Sequence, residues 1–245
     1  MTTITSAHSV PDEGGFLLID QLLRGRGAFL DGIAAQEDLR DTARALLLTI
    51  FAGSAVFGAT LGFYRGGIQI LFASLKLPLV VLFTAALCTP ALTALRVVVG
   101  GRARFQKDLA LVLGSLALGC MVIAALAPLL LLAMSMRASY HQIIILTVGC
   151  CAVGGALGLA LLIKGIWCTL DVDRGVVTLT LLLVCALVGT QLSWTLRPYL
   201  VRPRTPDVPL VRMQEGSFMD SVLTAFDSAG GNYARDAAPL PGEQP

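Results

Sequence analysis

Charge is what this sequence is shortest of. Only 14% of its 245 residues are Asp, Glu, Lys or Arg, and the formal net charge is +2. Soluble domains carry about 25% charged residues, so the composition argues against a free globular chain. With so little net charge and no run of Lys or Arg, the chain has no electrostatic footprint for nucleic acid. Histidine is nearly missing too: His8 and His141 are the two. His141 stands near Ser135 and Ser139, but nothing marks either hydroxyl as activated, so the three read as a polar loop. There is no HExxH, no phosphate-binding glycine loop and no pair of carboxylates inside an apolar run. Asp171 and Asp173 lack further ligands nearby and read as a solvated turn. The six cysteines (Cys88, Cys120, Cys150, Cys151, Cys168 and Cys185) match neither a zinc site nor a secreted disulfide framework. They read as small apolar side chains. The expectation is a non-enzymatic protein with no catalytic residue, no metal and no cofactor.

What the chain has in excess is apolar length. Apolar residues make up 56% of it, and the mean hydropathy is +0.78. Crossing a hydrocarbon core of ~30 Å takes about 20 mostly apolar helical residues. Five runs qualify: 45–63, 77–99, 109–134, 143–163 and 176–196. None holds an acidic residue, and Arg96 near one end is the lone charge. The expected fold is therefore all-α, a polytopic membrane protein of five transmembrane helices.

The flanks are different in kind. Residues 1–15 are polar, without the features of a secretory signal, and are expected to be disordered. Residues 16–44 place Phe16, Ile19, Leu22, Leu23, Phe29, Leu30 and Ile33 at near-helical spacing among charges. Gly25, Gly27 and Gly32 favour two short helices over one long one. This segment is expected to lie on the cytoplasmic membrane surface, or else to dock a soluble partner. After the bundle, 45–198, the tail 199–245 is proline-rich and polar, with a short amphipathic helix expected at about 218–228.

Small residues recur every fourth position inside the runs. Ser54, Gly58 and Gly62 form one such stripe. Cys150, Gly154 and Gly158, with Cys151 and Gly155 beside them, form two more on a single helix. Stripes of this kind let helix backbones approach closely, and the doubled stripe places its helix centrally between two neighbours. Pro78 suits the first turn of the second span. Pro90 and Pro128 fall mid-helix and should bend it, with Thr84, Thr89 and Thr93 near enough to bond freed carbonyls.

The fifth run ends in the most polar passage of the bundle. Thr190, Ser193 and Arg197 share one helical face, Gln191 and Trp194 its neighbour, and Pro198 closes the helix. The simple reading is an interfacial anchor, with Trp at the headgroups and Arg snorkelling to phosphates. The sharper reading is a polar pocket at the outer membrane face.

Orientation follows from the loops. Arg24, Arg26, Arg40, Arg44, Arg96, Arg102, Arg104, Lys107, Lys164 and Arg174 fall on the N-terminal side, against Arg65, Lys76 and Arg137 in the opposite loops. Excess positive charge in short loops marks the cytoplasm. The N-terminus is expected there and the C-terminal tail outside, although that tail is itself basic.

Five closely spaced spans after a cytoplasmic amphipathic segment resemble the Yip1-like group of small polytopic proteins, over residues 45–198. The helix end Gly-Thr-Gln-Leu-Ser-Trp-Thr-Leu-Arg-Pro, residues 189–198, also looks like one seen in uncharacterised bacterial membrane proteins. The group resemblance implies work on membrane organisation and partners rather than catalysis; it carries over no site residue. Expected, then, is a scaffold or accessory subunit of a bacterial inner membrane, whose partners are the lipid bilayer and other proteins, self-association included. A small channel or carrier using the outer end of the fifth helix is the alternative, and an intramembrane enzyme a distant third.

Overall fold

The computed structural model describes residues 13–35, 39–64, 67–98, 102–136, 140–169, 175, 178–180, 182 and 183. Among them there is no strand. Six helices follow in order: α1 (Glu13–Arg24), α2 (Arg26–Ala35), α3 (Arg40–Phe63), α4 (Gln69–Val98), α5 (Phe105–Ser135) and α6 (Tyr140–Thr169). The last four are long and apolar enough to cross a membrane. Rising 1.5 Å per residue, the 30 residues of α4 extend ~45 Å, beyond the ~30 Å core. Their ends therefore reach the headgroup level or the helices tilt. Leu and Ala dominate these helices, and both are strong helix formers.

Where α4 starts is a correction to the sequence reading. It begins at Gln69 rather than at residue 77, so Pro78 sits well inside the helix. The early turns are held because Ala73 and Ile70 lie directly against Gly58 and Gly62 of α3. That packing outweighs the one backbone bond a proline forfeits. Between the two helices Gly67 adopts φ 61, the left-handed conformation that glycine takes without a Cβ penalty. The threonines beside Pro90 do not serve the carbonyl it frees. Thr84 and Thr89 bond the carbonyls of Val80 and Ala85, each one turn back along the same helix, and the Thr93 hydroxyl lies within reach of the Thr89 carbonyl.

Among the described residues α5 is the central helix. It packs on α3, α4 and α6, and α1 and α2 also reach it. Ser115 and Gly119 of α5 take Gly158 and Gly154 of α6 at backbone distance, while Gly53 of α3 lies on Cys120. The second small stripe of α6 has no such neighbour among the described residues: none of them lies within 4 Å of where a Cβ on Gly155 would stand. A stripe permits close approach but does not by itself supply a partner.

The N-terminal segment forms two short helices, and they are not spread on a surface. Leu22 and Phe29 are 0% and 2% exposed, in one core with Leu111, Leu113, Leu161 and Ile166 of α5 and α6. The Phe29 ring fills the space a side chain at Gly114 would need. Backbone bonding continues across the break, Gly25 donating to Gln21 and Phe29 donating to the Gly25 carbonyl. Thus α1 and α2 cap the end of the bundle where α3 and α5 begin and α4 and α6 finish. Burial of Leu22, Phe29, Leu30 and Ile33 is better satisfied by a protein core than by the headgroup layer.

Candidate functional site

The polar patch expected at Thr190, Gln191, Ser193, Trp194 and Arg197 lies outside the described residues, as does the tail helix at about 218–228. Of the fifth run, residues 178–180, 182 and 183 are described, and all are helical. The Trp167 indole N–H of α6 donates to the Thr178 hydroxyl at 2.8 Å, which ties that segment to the end of α6.

The packing residues divide. Ser54 is fully buried and returns its hydroxyl to the Ile50 carbonyl at 2.5 Å. Gly58 and Gly62 meet the backbone of α4, and Gly154 and Gly158 that of α5; Gly155 meets none of the described residues. Of the cysteines, Cys120 and Cys150 are buried and Cys88 is half-buried, as small core side chains should be. Cys151 and Cys168 are exposed, and all five are free thiols.

A charged cluster missed in the sequence sits at the capped end. Arg96, in the last turn of α4, places Nη2 2.7 Å from Oδ1 of Asp108, in the first turn of α5. Exposure is 5% for Arg96 and 0% for Asp108. The Thr93 hydroxyl lies 3.0 Å from Asp108 Oδ2 and 3.1 Å from the Thr89 carbonyl. It has one proton to give, and an ionised carboxylate is the stronger acceptor. Helix ends favour this arrangement, since a cation suits a C-terminus and an anion an N-terminus. That was the available signal: a basic residue ending one helix and an acidic one starting the next, across a short loop, must meet when the helices pack antiparallel. Reading the loop as merely basic hid it.

Beside this pair is a cavity of about 110 Å³. Its walls are Leu30, Asp31, Ile33 and Ala34 of α2, Arg96 of α4, Arg104 just before α5, Lys107 and Leu111 of α5, and Gly165 and Cys168 of α6. The Lys107 ammonium donates to the Ala34 carbonyl, latching α2 onto α5.

A larger groove, of about 540 Å³, runs between α4 and α6 with α5 as its floor. Val81, Thr84, Cys88, Ala91, Leu92 and Leu95 form the α4 wall, and Cys151, Gly154, Gly155, Gly158, Leu159 and Leu162 the α6 wall. Thr180 and Leu182 border it too. Its lining is nearly all apolar. The Thr84 and Ser115 hydroxyls within it are spent on the Val80 and Val112 carbonyls. Such walls suit hydrocarbon and offer little to replace the water around a polar solute. Among the described residues no three His, Cys, Asp or Glu side chains converge as metal ligands.

No protein-family model, no curated protein and no solved structure matches the chain. The likeness to the Yip1-like group therefore rests on architecture alone.

Proposed function

We propose that the chain is a non-enzymatic scaffold or accessory subunit, embedded in a bacterial inner membrane by five spans with its N-terminus in the cytoplasm. The observation that carries this reading is the closure of the polar centre. Arg96 pairs with Asp108, which also takes the Thr93 hydroxyl, almost out of reach of solvent, so this ion pair binds helices together rather than a transported ion. Latching of α1 and α2 onto the same end adds to the impression of a rigid body. Orientation is supported by the gathering of Arg24, Arg26, Arg40, Arg44, Arg104 and Lys107 at that end, as the positive-inside rule expects of a cytoplasmic face. The architectural likeness to the Yip1-like group agrees with a role through partners.

The alternative, a small channel or carrier, draws on the groove between α4 and α6, whose walls favour apolar cargo. Flux measurements on proteoliposomes separate the two. The scaffold reading expects ions and small polar solutes to leak no faster than from protein-free vesicles. Flux that Ala91→Trp blocks would replace it with the carrier. Topology is read with a reporter active only outside the cytoplasm: silent when fused after Arg104 or Arg174, active after Pro245. Equal signals from fusions at the two termini would mean an even number of spans.

A further inference from the structure

The cationic cavity and the apolar groove are two parts of one track. On α5 the groove positions Gly119 and Ser115 are followed at four-residue steps by Leu111 and Lys107 of the cavity, with Arg104 just ahead of the helix. On α6 the groove ends at Leu162, and the cavity continues from Gly165 to Cys168 in three-residue steps. On α4, Leu92 of the groove lies one turn from Arg96 of the cavity. Residues three and four apart occupy one helix face. The two spaces thus succeed each other along the same side of the bundle, apolar first and basic at the capped end.

The dimensions match half a bilayer. From Cys151 to Leu162 the groove follows α6 for ~17 Å at 1.5 Å per residue, and one leaflet of a ~30 Å core is ~15 Å deep. At ~30 Å³ per water, the cavity at its end, of about 110 Å³, has room for about four, enough for a phosphate. Its charges are Arg96, Arg104 and Lys107 against Asp31. With Asp108 behind Arg96 the local balance is one positive charge, which complements the single negative charge of a phosphodiester. One of the three Lys107 protons is committed to Ala34. The α5 N-terminus begins at Phe105, so its first backbone N–H groups add to the positive potential. Ala91, Cys151 and Gly155 are exposed along the groove, so it opens sideways, as entry from a bilayer requires.

We propose that this track binds one anionic phospholipid of the cytoplasmic leaflet, its phosphate in the cavity at Arg104 and Lys107 and one acyl chain along the groove. The inference rests on the membrane and orientation readings above, but not on the scaffold role.

Native mass spectrometry of the full chain in a non-ionic detergent, titrated with phosphatidylglycerol, phosphatidylcholine and inorganic phosphate, tests it. Phosphatidylglycerol should be retained in preference to phosphatidylcholine, and phosphate alone should neither bind nor displace it. Removing one cation near a headgroup should weaken binding about fivefold, so Arg104→Gln should cost that much for phosphatidylglycerol and little for phosphatidylcholine. Asp31→Asn, which removes the opposing charge, should tighten phosphatidylglycerol. Ala91→Trp should weaken both lipids by filling the groove, while Ala91→Ser, which leaves its volume, should not. Equal retention of the two lipids, or silent Arg104→Gln and Asp31→Asn, would overturn the headgroup assignment. A silent Ala91→Trp would overturn the chain assignment, and phosphate competing as well as lipid would give the cavity to a soluble anion. If cell fractionation recovers the chain as a soluble protein, the membrane reading falls and the lipid site with it. A membrane-embedded chain with no lipid preference overturns the site alone.

Discussion

Replacing Asp108 by Asn tests the charged staple with the smallest change of shape. Asparagine can still accept the Thr93 proton through its carbonyl oxygen, so the substitution removes mainly the negative charge facing Arg96 at 2.7 Å. With exposures of 5% and 0% there is little solvent to compensate the guanidinium. Breaking such a buried pair from one side costs about 3–5 kcal/mol. At roughly tenfold per 1.4 kcal/mol, that is two to nearly four powers of ten in the folded-to-unfolded ratio. Removing both charges with apolar side chains of similar size, as in Arg96→Met with Asp108→Leu, should return most of the loss, because neither ion then has to be desolvated. Thr93→Val should fall between, at about 1.5 kcal/mol for one bond to an ionised acceptor. Equilibrium unfolding of the purified chain in mixed micelles, with increasing denaturing detergent and helix content as the readout, measures all four. The penalty should persist when salt is raised from about 0.05 to 0.5 M, since buried pairs are screened far less than exposed ones. If Asp108→Asn unfolds like the parent, or if the double substitution is as damaging as the single one, the cluster is not an electrostatic staple.

The packing account makes a contrast within one residue type. Gly58→Ala puts a methyl group into the Ala73 backbone and should cost about 1–3 kcal/mol, whereas Gly155→Ala meets none of the described residues and should be neutral or stabilising by up to ~1 kcal/mol through helix propensity. Equal effects in the same unfolding assay would refute the assigned contacts. Phe29→Ala should release α1 and α2 from the capped end at a cost of about 3–5 kcal/mol, read as faster protease cleavage within residues 13–35 of a bundle that otherwise stays intact. Unchanged cleavage would mean that the ring at Gly114 does not hold the cap.

The membrane class was decided by the chain alone. Long runs without an acidic residue leave the backbone no way to satisfy its polar groups in lipid except as helices, and α3, α4, α5 and α6 answer four of the five runs. The break between α1 and α2 was legible for a similarly local reason, a glycine between two amphipathic pieces. Other features depend on which surfaces meet. The stripe at Ser54, Gly58 and Gly62 announced a close contact, but nothing in it said that the partner would be the early turns of α4 or that α4 would begin at Gln69 to provide them. The stripe with Gly155 had the same composition and found no neighbour among the described residues. Similarly, the apolar side of residues 16–33 was evident as a pattern, and it took the groove between the ends of α5 and α6 to determine that protein rather than headgroups would cover it. Arg96 and Asp108 are 12 residues apart and looked like ordinary loop charges. Antiparallel packing of α4 on α5 brought them together and excluded water, and that desolvation turned two surface-type residues into a buried pair. Periodicity is local and survives in one dimension; burial and pairing are relations between segments, and only the folded bundle could settle them.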